Sequence, residues 1–382
     1  MTTTISRAVT GPCGDTMRIN LITDATRISD LSCETNGCAA SWTALCTCCH
    51  LAKGMDLRQA ARCIRPDRII DACQLPPDHR HCARLAVCTL RAAIDAALDE
   101  CAHFVSNCCD SDCDGAGSDC SGCTRKNPPA DHIGDVLLVM AGKGGVGKSS
   151  VASGLASALA ARDLRVGLLD ADVHGPGLPR LLGLRGDTLC QSGKTLYPQL
   201  SCGGVHCCSS GLLVEHDQAI IRRGPAKSGL ITSMINDIAW GHVDMLVVDL
   251  PPGTGDEALV VAERFSGRAK ALMVTTPHEL ALDDAQRCLT FCSKLDLPVL
   301  GIVENMAGFR CPDCNTTHDI FAGTAATVLA ERSGTPVLGR LPLDPVLAQT
   351  GEPAWSRDAD LAGIAELLSK DFVHETRTSG VA

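Results

Sequence analysis

One glycine-rich stretch has the residue types that bind phosphate. An apolar run at 136–140 precedes it and a helical pattern at 151–161 follows it, so a strand, a loop and a helix are expected in that order. The glycines allow a tight turn whose N–H groups face phosphate oxygens, while Lys148 adds charge and the Ser149 hydroxyl can hold Mg²⁺. The stretch consists of Gly142, Lys143, Gly144, Gly145, Val146, Gly147, Lys148 and Ser149.

Two carboxylates follow apolar runs elsewhere in the chain. Asp170 ends the run at 166–169, and Asp249 ends the run at 245–248. Carboxylates at the carboxyl ends of parallel strands lie beside the nucleotide crevice of such folds. We expect Asp249 to share Mg²⁺ with Ser149, and Asp170 to orient the attacking water or to help hold the ion.

Cysteines provide the second kind of chemistry. The chain has 24 of them, and one pair, Cys311-x-x-Cys314, has the spacing that chelates a metal ion or a cluster. Two thiolates are too few for a tetrahedral ion or a cubane cluster, but a two-fold dimer would supply four. His318 is a possible third ligand, and half of a zinc ribbon is the competing interpretation.

A second group of cysteines lies in a segment with almost no apolar residue to bury. We favour a metal or iron–sulfur site there, with a flexible redox-active linker as the alternative. For residues 1–80 we assign no site: the density of Cys46, Cys48, Cys49 and His50 fits a metal site and buried packing equally. The cysteines of the polar segment are Cys108, Cys109, Cys113, Cys120 and Cys123.

The elements that must position these residues can be read from periodicity. Strand and helix patterns alternate across residues 135–375, which predicts an α/β fold with a doubly wound, mostly parallel sheet. Residues 1–105 form a cysteine-rich N-terminal extension, 106–134 a cysteine-rich linker and 135–382 the nucleotide domain. Within that domain we expect a loop at 173–179, a helix at 223–240 and a strand at 299–305.

The composition of the chain argues against nucleic acid as a partner and against a membrane span. A net charge of −10 and 3% aromatic residues argue against nucleic-acid binding, which needs clustered basic and stacking side chains. The sequence has no apolar run of ~18 residues to span a membrane and no secretory signal at its start. So many cysteines beside a phosphate-binding loop suggest a reducing, cytoplasmic setting.

The phosphate loop resembles the deviant loop of the MinD/ParA/nitrogenase-iron-protein superfamily, because Lys143 follows its first glycine. In that superfamily this lysine touches the nucleotide of the partner subunit. The resemblance therefore implies a nucleotide-dependent dimer and adds Lys143 to the expected catalytic residues, Lys148, Asp170 and Asp249.

A more specific resemblance covers residues 135–375, which look like the Mrp/ApbC family of ATP-dependent iron–sulfur cluster carriers. It implies ATP and Mg²⁺ binding, a [4Fe–4S] cluster held by Cys311 and Cys314 across a homodimer or a heterodimer with a related ATPase, and transfer to apo iron–sulfur proteins. It also implies that Asn305 lies near the adenine. Its motifs occur at residues 142–149, 169–179, 223–225, 248–256, 274–277, 303–306, 309–314 and 338–344.

The cytosolic eukaryotic branch of that family has a further cysteine motif before the first strand. Cys120 and Cys123 match its central pair, but its outer positions fall on Ser106 and Pro129. The available substitutes are Cys108, Cys109 and Cys113.

Three other functions use the same loop. A positioning ATPase of the MinD or ParA type would act on a membrane or on DNA, yet the last helical pattern, 361–372, has only Lys370 as a base. An electron donor like the nitrogenase iron protein bridges its cluster with single, widely spaced cysteines. A zinc-stabilised P-loop ATPase would use the same thiolates.

Overall fold

The computed structural model describes residues 2–24, 26–105, 132–173, 175–184, 187–213, 224–321, 323–345, 347, 352–355 and 357–376. The chain divides into two compact units, and each unit consists of three chain segments. The first contains Met1–His132, Cys190–Tyr197 and Asn236–His242. The second contains Ile133–Leu189, Pro198–Ile235 and Val243–Ala382.

The strands are β1 Thr2–Thr10, β2 Thr16–Asp24, β3 Arg27–Thr35, β4 Ile133–Met140, β5 Val166–Asp170, β6 Cys190–Ser192, β7 Thr195–Tyr197, β8 Gln199–Leu200, β9 His206–Ser209, β10 Val243–Asp249, β11 Ala269–Thr275, β12 Val299–Arg310, β13 Thr317–His318 and β14 Val337–Leu343. The helices are α1 Ala39–Ala52, α2 Leu57–Cys63, α3 Pro66–Cys73, α4 Arg80–Val105, α5 Lys148–Ala161, α6 Leu178–Leu181, α7 Gly224–Asn236, α8 Asp256–Arg264, α9 Leu282–Lys294, α10 Ala325–Ser333, α11 Glu352–Trp355 and α12 Ala359–Thr376. Short 3₁₀ turns cover Pro77–His79, Ser210–Leu212 and Glu279–Ala281.

The first unit packs helices on an antiparallel sheet in the order β3-β2-β1-β6-β7. Alternate residues of β2 are buried, which is the period expected of a sheet with one covered face. Helices α1 and α4 pack on this sheet and on each other. The long helix α4 buries Leu85, Leu90 and Ile94, so its apolar face supplies much of the core of this unit.

The second unit has a nine-stranded, mostly parallel sheet. Its strands run in the order β8-β9-β5-β10-β4-β11-β12, with β13 and β14 both paired to β12. From the central β4 the chain winds first towards β9 and later towards β12, which is the reversal that defines a doubly wound sheet. Strands β5 and β10 are buried almost throughout, as strands covered on both faces must be. The predicted fold class is confirmed.

Three element boundaries differ from the sequence prediction. Strand β12 continues past Asn305 to Arg310, because Phe309 and Arg310 pair with β13 in a hairpin. The loop predicted to reach Pro179 ends earlier, because α6 begins at Leu178 with a proline in its first turn, a position that proline suits. Helix α7 stops at Asn236 rather than Trp240, because Ile238 and Ala239 pair with Leu196 instead.

Within the described part of the chain, no helix is both long enough and apolar enough to cross a membrane.

Candidate functional site

The phosphate-binding loop lies between β4 and α5, as its sequence predicts. Gly145 and Gly147 have φ values of 82° and 81°, a backbone conformation that glycine adopts without strain. A methyl group added at Gly144 or Gly145 would touch no other residue within 4 Å, so protein packing does not require glycine there. Glycine at these exposed positions instead lets an anion approach the backbone at the N-terminus of α5.

Register brings the two strand-tip carboxylates together. Asp170 and Asp249 are register partners at the ends of the parallel strands β5 and β10. Lys148, at the first turn of α5, forms a buried ion pair with Asp249. The Ser149 hydroxyl is also hydrogen-bonded to Asp249, whose pKa is raised by burial despite these two partners.

One oxygen atom of Asp249 is placed so that it could bind Mg²⁺. Asp249 Oδ2 is buried and has no hydrogen-bond partner among the described residues. Such an atom is costly unless something else satisfies it, and a hard cation held by Ser149 and Asp249 would do so. The donor set therefore fits Mg²⁺, which would neutralise charge between the terminal phosphates.

The carboxyl group of Asp170 has a raised pKa and accepts a hydrogen bond at each oxygen. Burial, reinforced by the charge of Asp249, raises its pKa to about 8. Ser209 Oγ donates to Asp170 Oδ2 over 2.9 Å, and the N–H of Asp172 donates to Asp170 Oδ1 over 3.2 Å. A carboxyl group that is held at both oxygens is suited to orient a water molecule.

Two cavities adjoin the loop. One, of about 280 Å³, is lined by Lys143, His278, Met306 and Phe321 among others, so Lys143 faces open space and not the carboxylates. The other, of about 260 Å³, is apolar with a few polar groups, the usual composition of a base-binding pocket. Asn305 lines it, and its position near adenine stays a prediction.

Cys311 and Cys314 lie in the tight turn between β12 and β13. The N–H of Asn315 donates to the Cys311 carbonyl, and the N–H of Cys311 donates to the Thr316 carbonyl. Hydrogen bonds from the side chain and backbone of Thr316 lower the pKa of the Cys314 thiol to about 6, with smaller contributions from Cys311 and His318. The exposed Cys314 is therefore a thiolate at neutral pH, the form that binds iron or zinc.

Arg310, next to Cys311, connects the cysteine turn to the second cavity. Its guanidinium contacts Asp344 at 3.1 Å, Asp358 at 3.3 Å and Asp360 at 2.5 Å. Asp344 and Asp358 also line the cavity that Asn305 lines. The strand that ends at the cysteine pair thus carries Asn305 near its middle and an arginine anchored beside the same cavity at its end.

The first unit contains a further cluster of ligand atoms, which the sequence alone does not single out. Single atoms of Asp15, Cys38 and Cys82 all lie within 4.8 Å of one another. Ser41 Oγ is at the centre: it donates to Asp15 Oδ2 over 2.6 Å and lies 3.3 Å from Cys82 Sγ and 3.6 Å from Cys38 Sγ. Cys13 is close enough for its thiol to interact electrostatically with Asp15.

Local structure explains why these residues meet. Asp15 lies in the turn between β1 and β2, Cys38 is the N-cap of α1, and Cys82 is in the first turn of α4. Hydrogen bonds from the side chain and backbone of Ser41 lower the pKa of Cys38. Burial raises the pKa of Cys82 to about 11, so its thiol ionises on binding a metal. His81 Nε2, 3.5 Å from Cys82 Sγ, is a further possible ligand.

Two weak signals in the sequence pointed to this site. Cys13-Gly-Asp15 is a turn that carries two ligand types, and His81-Cys82 stands where the helical pattern begins. The denser run at Cys46–His50 lies on α1, where Cys48 and Cys49 are buried.

The linker cysteines Cys109, Cys113, Cys120 and Cys123 lie outside the described residues, so their site stays a prediction.

Two family profiles match the chain. One, described as ParA: NUBPL iron-transfer P-loop NTPase, matches residues 132–364. The other, a NifU-like N terminal domain, matches residues 2–100, the part that contains Asp15, Cys38 and Cys82.

Curated relatives and a solved structure match the same C-terminal part. The cytosolic Fe-S cluster assembly factor CFD1 of Eremothecium gossypii is 40% identical over 241 residues, which are 61% of this chain and 86% of the relative. The human cytosolic Fe-S cluster assembly factor NUBP2 is 44% identical, over 57% of this chain and 82% of its own length. The iron-sulfur cluster carrier protein of Helicobacter pylori is 44% identical, over 60% of this chain and 62% of its own.

The solved structure is a nucleotide-binding protein of Archaeoglobus fulgidus in complex with ADP. It is 34% identical, with a TM-score of 0.53, over 61% of this chain and 92% of that one. These similarities agree with the phosphate loop and the strand-tip carboxylates described above. Because the first family profile spans more than half of the sequence, the chain belongs to the NUBPL iron-transfer P-loop NTPase family.

Proposed function

We propose that this protein is an ATPase that assembles an iron–sulfur cluster in its first unit and carries a [4Fe–4S] cluster to apo-proteins in its second. The observation that carries the proposal is strand β12. It has Asn305, hydrogen-bonded to the phosphate loop, in its middle and Cys311 immediately after its last residue. One strand therefore joins the phosphate loop to the thiolates.

The second unit would bind MgATP on the phosphate loop. Lys148 and Ser149 would contact the phosphates and the ion, and Asp170 would hold the attacking water in line with the terminal phosphate. Loss of that phosphate changes the contacts of the loop, and β12 would transmit the change to Cys311 and Cys314. This coupling is the difference between a carrier and a simple ATPase.

The carrier site would need a second subunit. Cys311 and Cys314 supply two thiolates, and a cubane cluster takes four ligands. A dimer about a two-fold axis through this turn supplies them. Lys143, which faces open space beside Phe321, would then reach a nucleotide on the partner. A heterodimer with a related ATPase would satisfy the same requirement.

The first unit would build the cargo. Asp15, Cys38 and Cys82, with Cys13 nearby, offer mixed oxygen and sulfur ligands, which suit a cluster that must leave again. The relatives are named as cytosolic assembly factors and a cluster carrier. Recipient apo-proteins and a reducing, cytoplasmic compartment follow from that role.

Anaerobic reconstitution with ferrous iron and sulfide tests the proposal. We would measure iron and sulfide per chain and the sedimentation of the parent, of Cys311→Ala/Cys314→Ala and of Cys38→Ala/Cys82→Ala. The matched control, Cys63→Ala/Cys202→Ala, removes two thiols that lie in neither site. We expect each site variant to lose bound iron that the control keeps, and only the Cys311/Cys314 variant to lose the cluster-dependent dimer.

Transfer to an apo-protein gives the second measurement. MgATP should speed transfer from the parent, whereas Lys148→Ala should transfer at the nucleotide-free rate. If Cys311→Ala/Cys314→Ala delivers clusters as fast as the parent, the carrier function is wrong. If the metal bound at that turn is zinc in protein purified without oxygen, the turn is a structural zinc site and the proposal fails there.

A further inference from the structure

The first unit contains a second group of potential ligands that includes no thiol. Single atoms of Asp99, His132 and His242 all lie within 4.8 Å of one another. His242 Nε2 is 3.0 Å and His132 Nε2 is 3.8 Å from the same oxygen, Asp99 Oδ1. Two imidazole nitrogens thus converge on one carboxylate oxygen. From this geometry we propose that the three residues bind a divalent first-row transition-metal ion.

Strand register brings the two histidines together. His132 precedes Ile133 and His242 precedes Val243, and Ile133 and Val243 are register partners in parallel strands. Neighbouring strands are ~4.8 Å apart, so the residues before them are neighbours too. Their ring centroids are 4.6 Å apart with the planes at 63°. This edge-to-face arrangement leaves both Nε2 atoms directed at the carboxylate.

Helix α4 fixes the third ligand. Asp95 and Asp99 are four residues apart and therefore lie on one face of the helix. Asp95 Oδ1 accepts a hydrogen bond from the backbone N–H of His242 at 3.4 Å, while Asp99 contacts the ring of the same residue. His242 is thus held through both its backbone and its side chain, which pre-organises the nitrogen that would bind the metal.

The distances suit a tetrahedral ion. Ligands at ~2.05 Å from a tetrahedral metal are ~3.3 Å from each other, a value between the two observed nitrogen–oxygen distances. Ion entry would therefore need shifts of only a few tenths of an ångström at each ring. The three side chains are 25–44% exposed, so an ion can enter from solvent and a water molecule can occupy the fourth position.

The donor chemistry favours a transition-metal cation at this place. Imidazole nitrogens and a carboxylate oxygen are both ligands of such ions, and the histidines bind metal in their neutral form. Nitrogen and oxygen donors without sulfur select Zn²⁺, Co²⁺ or Fe²⁺ as single ions rather than an iron–sulfur cluster. The site is therefore chemically distinct from the thiolate sites and does not depend on the function proposed above.

Cobalt binding to the full chain tests the proposal. Accessible thiols are first blocked with methyl methanethiosulfonate, so that thiolate sites do not compete for Co²⁺. The chain is then titrated with Co²⁺ and its visible absorption is recorded. The proteins compared are the parent, His242→Ala, His132→Gln and, as the matched control, His50→Ala, which removes an exposed histidine of α1.

We expect the parent and the control to bind one more Co²⁺ per chain than the two site variants, with a tetrahedral spectrum that lacks sulfur charge transfer. Far-UV circular dichroism checks folding, and His132→Gln keeps the comparison valid if His242→Ala does not fold. Anaerobic displacement of Co²⁺ by Zn²⁺ and by Fe²⁺ then identifies the preferred ion. If all four proteins bind equal amounts of Co²⁺, the group is a hydrogen-bonded His–Asp cluster without metal and the proposal is wrong.

Discussion

Asn305 Nδ2 donates a hydrogen bond to the carbonyl oxygen of Val146 over 2.8 Å. This bond joins the middle of β12 to the phosphate-binding loop. A methyl group on Gly147 would collide with the same amide nitrogen, so the loop and the strand are packed as closely as their backbones allow. A change in the loop on nucleotide binding must therefore move Asn305 or break this bond.

Replacing Asn305 by alanine tests that connection. The hydrogen bond contributes roughly 0.5–1.5 kcal/mol, so we expect ADP affinity to fall about two- to tenfold. We also expect ADP to lose its effect on the alkylation rate of Cys314, since the strand no longer follows the loop. Calorimetry and mass spectrometry measure the two effects. Asn20→Ala, which removes an amide hydrogen-bonded to Ser32 in the first unit, should behave as the parent.

Two glycines of the loop should respond differently to alanine. A Cβ at Gly142 would collide with the backbone at Asp284 and Ala285, so Gly142→Ala should lose about 1–3 kcal/mol of unfolding free energy. Gly144 has open space, so Gly144→Ala should keep its stability but lose nucleotide affinity about tenfold, since each lost bond to phosphate is worth ~1.5 kcal/mol. Urea unfolding and ADP titration would show this, and equal stability losses would contradict it.

The reactivity of Cys314 should persist to low pH in the metal-free protein. Its pKa is lowered to about 6 by hydrogen bonds from Thr316, so the thiolate predominates above pH 6 and is lost only below it. We expect the iodoacetamide rate to rise through pH 6 and level off near pH 7. Thr316→Val should move the midpoint upwards, towards an ordinary thiol. A parent midpoint near pH 8.5 would refute the assignment.

Asp170 should make the nucleotide-free protein less stable as pH rises. Its folded pKa is about 8 and its unfolded value is 3.8, so the folded state binds the proton more tightly. The resulting stabilisation is complete below pH 3.8 and is lost as pH rises through 8. Asp170→Asn removes this dependence and should be more stable than the parent at pH 8.5.

The comparison is made by urea unfolding at pH 5 and pH 8.5. The gain of Asp170→Asn over the parent should be larger at pH 8.5 than at pH 5, although ATP hydrolysis should be lost at both. Ser209 Oγ can still form a hydrogen bond with the asparagine side chain, either as donor to Oδ1 or as acceptor from Nδ2. Equal differences at the two pH values would show that Asp170 is charged throughout.

Arg310 should contribute to the stability of the folded protein. Arg310→Ala removes the cation that pairs with the partly buried Asp344 and the buried Asp358, which costs roughly 1–3 kcal/mol of unfolding free energy. Arg287→Ala, which breaks an exposed pair with Asp284, should change the unfolding free energy by less than about 0.5 kcal/mol. Arg310→Lys should recover part of the stability, and unchanged stability in Arg310→Ala would exclude the anchoring role.

Sequence reasoning located the features that depend on neighbours in the chain. The phosphate loop needs a strand, glycines and a helix in immediate succession, and the strand-tip carboxylates follow their strands directly. Alternating strand and helix patterns then determined the parallel sheet that aligns Asp170 with Asp249. In each case the interaction that decides the structure is local or follows from regular strand pairing.

The features it missed depend on distant parts of the chain. Asp15, Cys38 and Cys82 come from a turn, a helix N-cap and a helix first turn, and only the packing of α1 and α4 on the first sheet brings them together. The extension of β12 to Arg310 depends on pairing with β13, after a run of Met-Ala-Gly that resembles a break. Neither segment has a hydrophobic periodicity that would predict these contacts.

The segmented first unit has a consequence for synthesis of the protein. Its sheet is complete only when Cys190–Tyr197 has joined the strands made from the first 35 residues. At ~5–20 residues per second, a ribosome needs roughly 5–20 seconds to proceed from the end of α4 to Tyr197. During that interval β6 is absent, so the end of β1 at Thr10, which pairs with Gln191, stays unpaired. Truncation after residue 132 would make that exposure permanent.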